Sequence, residues 1–211
     1  MTYQVEKMME DVRVCLDQNM TSAALLDDGD IDTLALDDII RSKILEAAQR
    51  VETDAPSHLL ENGHNFGDAV YWGDKDSGWV PLPKDFMRLV VFEMSDWERA
   101  VYTAISTDDP EYSKQRSRFK GIRGTAQRPV CAIAIRPEGR VLEFYSCKST
   151  DAQVSRAMYV PYPRIDKGGG IDISERCYKA VVYVAAGLTL ISCGETEKGN
   201  ALSELAQTFL K

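Results

Sequence analysis

Residues 178–193, YKAVVYVAAGLTLISC, are apolar on nearly every side, and no other stretch limits the possible folds so strongly. A surface helix keeps one polar face, whereas a helix that is hydrophobic all round has to be wrapped by protein or by lipid. The stretch is shorter than the roughly 20 residues that cross a bilayer, so it is expected at the centre of a protein core. Ala180, Ala185, Ala186 and Gly187 are small enough to let neighbouring helices approach closely. Asp172-Ile173-Ser174-Glu175 has the spacing of a helix start, and Gly194 suits the far end as a C-terminal cap.

Other helical patterns lie towards both chain ends. Val5, Met8, Met9, Val12, Cys15 and Leu16 recur at helical spacing among charged residues. A second stripe, Leu36, Ile40, Ile44, Ala47 and Val51, begins beside carboxylates that suit the positive end of a helix and stops before Pro56. Near the far end, Ala201, Leu202, Leu205, Ala206, Phe209 and Leu210 share one face.

From residue 65 onward the pattern turns to strands. Residues 69–72 and 79–82 read as a hairpin, and 87–94, 130–135, 141–146 and 157–160 as further strands. Residues 97–105 are ambiguous: Trp97, Ala100, Val101, Ala104 and Ile105 match a helix, while the short length leaves an extended segment open. Asp109-Pro110 reads as a cap followed by proline in the first turn, opening a short helix through the residues that follow. Residues 166–170 read as a flexible loop. The expected fold is α+β in one domain: a helical bundle from residues 1–62 and 172–211, with a β-rich insertion at 65–163 that contains a short basic helix.

Composition excludes several classes. With 44% hydrophobic and 27% charged residues, the 211-residue chain is globular, not disordered. It carries no basic-then-apolar leader, so a soluble intracellular protein is expected, with no membrane partner. Five cysteines, Cys15, Cys131, Cys147, Cys177 and Cys193, are odd in number and contain no CxxC pair. Free thiols are therefore expected, and neither a disulfide framework nor a zinc site.

Charge is distributed unevenly within a net −8: residues 1–62 hold fourteen carboxylates against five Lys or Arg. Residues 114–128 reverse this with Lys114, Arg116, Arg118, Lys120, Arg123 and Arg128 and no carboxylate. Guanidinium groups in such a cluster suit carboxylates of an adjacent subunit or phosphates, while a plain solvated helix face accounts for the same composition. The overall negative charge opposes nucleic acid as the partner.

Other candidates carry less. His58 and His64, near Glu61 and Asp68, are the only histidines and lie in a loop-like segment. Asp28, Asp30 and Asp32 resemble the opening of a calcium loop, but Thr33 stands where glycine belongs and Ile39 where the bidentate Glu belongs. Gly168-Gly169-Gly170 follows Lys167 and matches neither phosphate-binding glycine pattern, so a mobile linker is expected. No GxSxG elbow is present. No enzyme, metal or cofactor is expected.

The layout resembles a known family. Two N-terminal helices lead to Val80-Pro81-Leu82-Pro83-Lys84-Asp85-Phe86-Met87-Arg88-Leu89. Then come the 112–128 segment with Arg123-Gly124-Thr125, Val141-Leu142-Glu143-Phe144-Tyr145-Ser146, and two alanine- and leucine-rich helices. This order is similar to the head-to-tail connector proteins of short-tailed bacteriophages, the adaptor or tail-tubular-A type, and most to ring proteins of crAss-like and related Bacteroides phages. The resemblance implies a virion protein made in the bacterial cytoplasm, without catalytic residues. It implies a twelve-fold homo-oligomeric ring in the neck, between portal protein and other tail proteins, around a lumen through which DNA passes without sequence-specific contacts. The alternative is a nucleic-acid-binding accessory module that uses the same basic cluster.

Overall fold

A computed structural model describes residues 1–19, 36–61, 63–117, 119 and 121–211. The order is β1 (Thr2–Gln4), α1 (Val5–Asn19), α2 (Leu36–Asp54), β2 (His64–Asn65), β3 (Tyr71–Trp72), β4 (Ser77–Pro81), β5 (Phe86–Met94) and β6 (Ile105–Ser106). It continues with α3 (Pro110–Lys114), β7 (Cys131–Arg136), β8 (Gly139–Tyr145), β9 (Val154–Pro161), β10 (Gly170–Asp172), α4 (Tyr178–Ser192) and α5 (Thr196–Gln207). The mixed α+β class is as expected. The chain divides into two compact units, Met1–Glu61 with Tyr162–Lys211, and Asn62–Pro161. Each has its own hydrophobic core.

In the helical unit, α4 is the centre, packed by α1, α2 and α5. Ala180, Val181, Ala185, Ala186 and Leu190 are fully buried. Gly187 and Gly199 bring α4 and α5 into backbone contact: a Cβ on Gly187 would lie 2.6 Å from the Gly199 carbonyl oxygen. This crossing turns α5 away from the expected stripe. Leu202, Ala206 and Leu210 face inward with Gly199, while Ala201 and Leu205 are exposed. A Schellman motif closes α4. Gly194 (φ 89°) donates to the Ile191 carbonyl at 3.1 Å, and Glu195 donates to Leu190 at 2.9 Å.

Two expectations fail here for one reason, that distant groups supply what nearby residues were expected to supply. The start of α4 is not capped from within residues 172–175. Instead, the Glu52 carboxylate of α2 accepts from the Ser174 N–H at 2.7 Å, and Glu61 accepts from the Glu175 N–H at 3.1 Å. Ser174 Oγ donates to the Leu59 carbonyl, and Asp172 lies in β10 opposite Thr2. Nor are residues 166–170 a mobile linker. Asp166 Oδ1 accepts from the Gly168 and Gly170 amides at 2.7 and 2.8 Å, Gly170 pairs with Gln4, and the Gly169 carbonyl takes the first amide of α1 at 3.0 Å.

The second unit holds a three-stranded sheet, β2-β9-β5, and a five-stranded sheet, β3-β4-β8-β7-β6, antiparallel except for β6 beside β7. Three register shifts along β5 bend it against β9. Aromatic rings fill the core. Phe92 of β5 stacks on Phe144 of β8 at 5.9 Å, and Phe66, Phe86, Trp97 and Tyr159 pack around them. The ambiguous segment 97–105 is extended up to β6, because Val101 exchanges both backbone hydrogen bonds with Phe92 at 2.8 Å. Trp97 and Val101 then point into the core. Among the described residues, no helix is long and apolar enough to cross a membrane.

Gly187→Val is expected to destabilise the helical unit by about 3 kcal/mol, because overpacking adds to the forced separation of two helices in backbone contact. Urea unfolding followed by far-ultraviolet circular dichroism checks it, and an unchanged midpoint would exclude the close crossing. Burial pushes the Glu52 carboxyl above the ordinary carboxylate value despite the Ser174 N–H. With the folded value raised, its contribution is full below the ordinary value and falls as pH rises through the folded one. Glu52→Gln should therefore be the more stable protein at neutral pH, with the difference vanishing in acid.

Candidate partner-binding segment

An ionised carboxylate in the five-stranded sheet fixes the start of the basic segment through Tyr112. Glu143 sits mid-strand on β8, opposite Trp79 of β4 and Ala132 of β7, with its side chain 8% exposed. Tyr145 donates its hydroxyl to it at 2.6 Å and Tyr112 of α3 at 3.0 Å; Arg136 donates through Nε and Nη2 at 2.9 and 2.6 Å. The Arg136 guanidinium lies 3.9 Å from the Trp79 ring, which in turn stacks on Tyr71. Burial alone would raise the Glu143 carboxyl. The hydrogen bonds from Tyr145, Arg136 and Tyr112 outweigh it and hold the group below the ordinary carboxylate value.

The expected helix through the basic cluster is cut short. Asp109 caps it as expected, accepting from the Glu111 N–H at 2.8 Å with Pro110 in the first turn, but α3 ends at Lys114. Gln115, 3% exposed, then ties both ends of the segment: its amide donates to the Glu111 carbonyl at 3.1 Å and accepts from Gly124 at 2.9 Å. Arg123 forms a forked ion pair with Asp76, Ser146 Oγ donates to the Gly124 carbonyl, and the Glu98 backbone amide donates to the Ala126 carbonyl at 2.9 Å.

The cations therefore do different work. Lys114 is neutralised by Glu111 one turn earlier, and Arg123 is a half-buried strut. Arg116 reaches over the Tyr112 ring at 5.5 Å and is exposed, as is Arg128, whose backbone closes a turn with Thr125. Arg118 and Lys120 lie outside the described residues, as does the acidic run with Asp28, Asp30 and Asp32. Composition did not point to the apolar tip: Phe119 is 74% exposed and Ile122 52%, with open space beside Gly121. A strongly basic stretch drew attention from these two residues, though both could be read in it.

The remaining candidates have surroundings of their own. His58 belongs to the helical unit, where its carbonyl accepts from Arg176; His64 packs edge-on against Tyr159 in the β unit, and Asp68 lines a cleft with Trp72 and Asp151. Among the described residues, no three His, Cys, Asp or Glu side chains are grouped to hold a metal. All five cysteines are unbonded to one another. Burial, with the charge of Asp96, pushes the Cys147 thiol up to about 12, far from a reactive thiolate. Comparison with protein-family models finds no match, and none is found among curated proteins.

Glu143→Gln is expected to cost on the order of 2 kcal/mol at neutral pH. That is less than a fully buried pair would lose, because Arg136 is one-third exposed. The folded value is depressed, so the wild-type contribution is present above the ordinary carboxylate value and lost as pH falls through the folded one. Tryptophan emission reads this unit alone, since Trp72, Trp79 and Trp97 all lie in it. The variant and wild type should converge in acid, and a constant gap would remove the carboxylate from the account.

Proposed function

We propose that this protein is a non-catalytic structural subunit that assembles with copies of itself, using the 116–122 loop as its contact. The observation that carries the reading is that loop: two large apolar side chains and the exposed Arg116 on a base fastened by Glu143, Gln115, Arg123 and Ser146. A fastened base lowers the entropy lost when the tip docks. Aromatic and arginine side chains together are the residue types enriched where interfaces hold most of their energy.

The charge balance favours a second copy as the partner. The helical unit carries twenty carboxylates against eleven Lys or Arg, and the β unit thirteen against fourteen. A cationic, apolar loop on one copy has its complement on the carboxylate-rich unit of the next. Such a contact joins two different patches; where it is not reciprocated it repeats head to tail, and where the rotation closes it makes a ring. With the sequence resemblance, the specific proposal is a ring of the head-to-tail connector in a tailed-phage virion, twelve-fold, between portal and tail and around the DNA channel. An acidic lumen would repel DNA phosphates and let the genome slide.

A second reading rests on Phe119, since an exposed ring among cations is also a stacking platform for a nucleic-acid base. Native mass spectrometry of the protein, alone and with a candidate portal, separates the two. The proposal expects a closed ring in one of these conditions, and its loss in Arg116→Glu with Phe119→Ser while the tryptophan emission stays native. A double variant that assembles like wild type contradicts it. A protein that stays monomeric and binds single-stranded DNA with steep salt dependence supports the nucleic-acid module instead.

A further inference from the structure

Beneath the fastened end of the segment lies a cleft of about 550 Å³, within the range of small-ligand sites. Lys75 and Asp76 come from the β3–β4 connection, Arg123 and Thr125 from the returning basic segment, and Ser146 and Lys148 from the chain after β8. Its three walls are cross-tied. Cys147 donates its amide to the Asp76 carbonyl at 2.9 Å, Ser146 Oγ bonds the Gly124 carbonyl, and Arg123 pairs with Asp76. Ser146 makes its tie to Gly124 at φ 75°, the one non-glycine residue with positive φ among the described residues. Such a conformation persists only where surrounding bonds enforce it, and it recurs at ligand sites.

The lining is rich in donors and poor in acceptors. Three cations face one carboxylate, and Asp76 is already engaged by Arg123. The Lys148 ammonium forms only a long, exposed ion pair with Glu98 at 4.0 Å, while Asp96 takes the Lys148 backbone amide. Lys75 is exposed and forms no ion pair among the described residues. The Thr125 oxygen accepts from the Arg128 amide at 3.2 Å, which leaves its hydroxyl proton to donate elsewhere. Two ammonium groups from different walls and one hydroxyl donor match a compact anion of two charges.

We propose that this cleft binds a phosphate-class dianion, either free phosphate or a small phosphomonoester, through Lys75, Lys148 and Thr125, with Arg123 holding the wall. The site is independent of the assembly reading, because it uses neither Arg116 nor Phe119. The test is a titration of ¹⁵N-labelled protein with inorganic phosphate at constant ionic strength, with chloride as the control. Saturable shifts at the amides of residues 75, 125 and 148 are expected. Lys75→Ala with Lys148→Ala, both exposed positions, should weaken binding at least tenfold while tryptophan emission is unchanged. A phosphomonoester should compete with phosphate, and an oligonucleotide lacking terminal phosphates should not. Non-saturating shifts, equal affinity in the double variant, or displacement by that oligonucleotide each overturn the proposal.

Discussion

The Glu143 carboxylate, enclosed in the face of a five-stranded sheet, must find enough donors to remain ionised there, and how it does so organises much of the β unit. Arg136 supplies two hydrogen bonds and Tyr112 and Tyr145 one each. Burying a charge is costly, and paired burial often gains little net stability over an apolar core. The value of this arrangement lies in position. Tyr112 belongs to α3, so the carboxylate pins the start of the 107–128 segment, and Gln115 carries that restraint to Gly124. The exposed tip is thus held from both ends by groups that are themselves fixed.

Pinning of this kind separates a binding loop from a merely solvated one. A free loop loses much conformational freedom when it docks, whereas one closed at its base has less to lose. In the proposed assembly the energy for docking would come from Phe119 and Ile122, whose apolar surface is exposed to water. The flanking guanidinium groups of Arg116 and Arg128 would then select the partner's charge. Long-range attraction between a cationic loop and a carboxylate-rich unit speeds encounter more than it tightens the final contact, so moderate salt should slow assembly before it abolishes it.

The elements with strong periodicity were legible in the sequence. The buried α4, the stripes of α1 and α2 and the longer strands follow from side-chain spacing alone. What was not legible depended on partners far away in sequence. Ser174 gave the signal of a local cap, yet Glu52 caps that turn from 122 residues away. Gly168, Gly169 and Gly170 suggested mobility until Asp166 and the β1–β10 pairing ordered them. Leu205 looked like core because helical spacing cannot reveal that Gly199 has rotated the helix onto Gly187. At the candidate site, the cation count was visible, but not that Lys114 and Arg123 are already paired. Glu143 was visible only as one letter in a strand.

The central claim is that the tip of this loop meets another copy of the chain. A photo-reactive benzoylphenylalanine at position 119 tests it directly, because that side chain is exposed and tethered to a fastened base. Irradiating a mixture of light and isotopically heavy protein, then mapping the products, distinguishes contacts between copies from contacts within one. Mixed light–heavy crosslinks landing in residues 1–61 or 162–211 are the predicted result. Crosslinks confined to single chains, at concentrations where the protein is assembled, would contradict it.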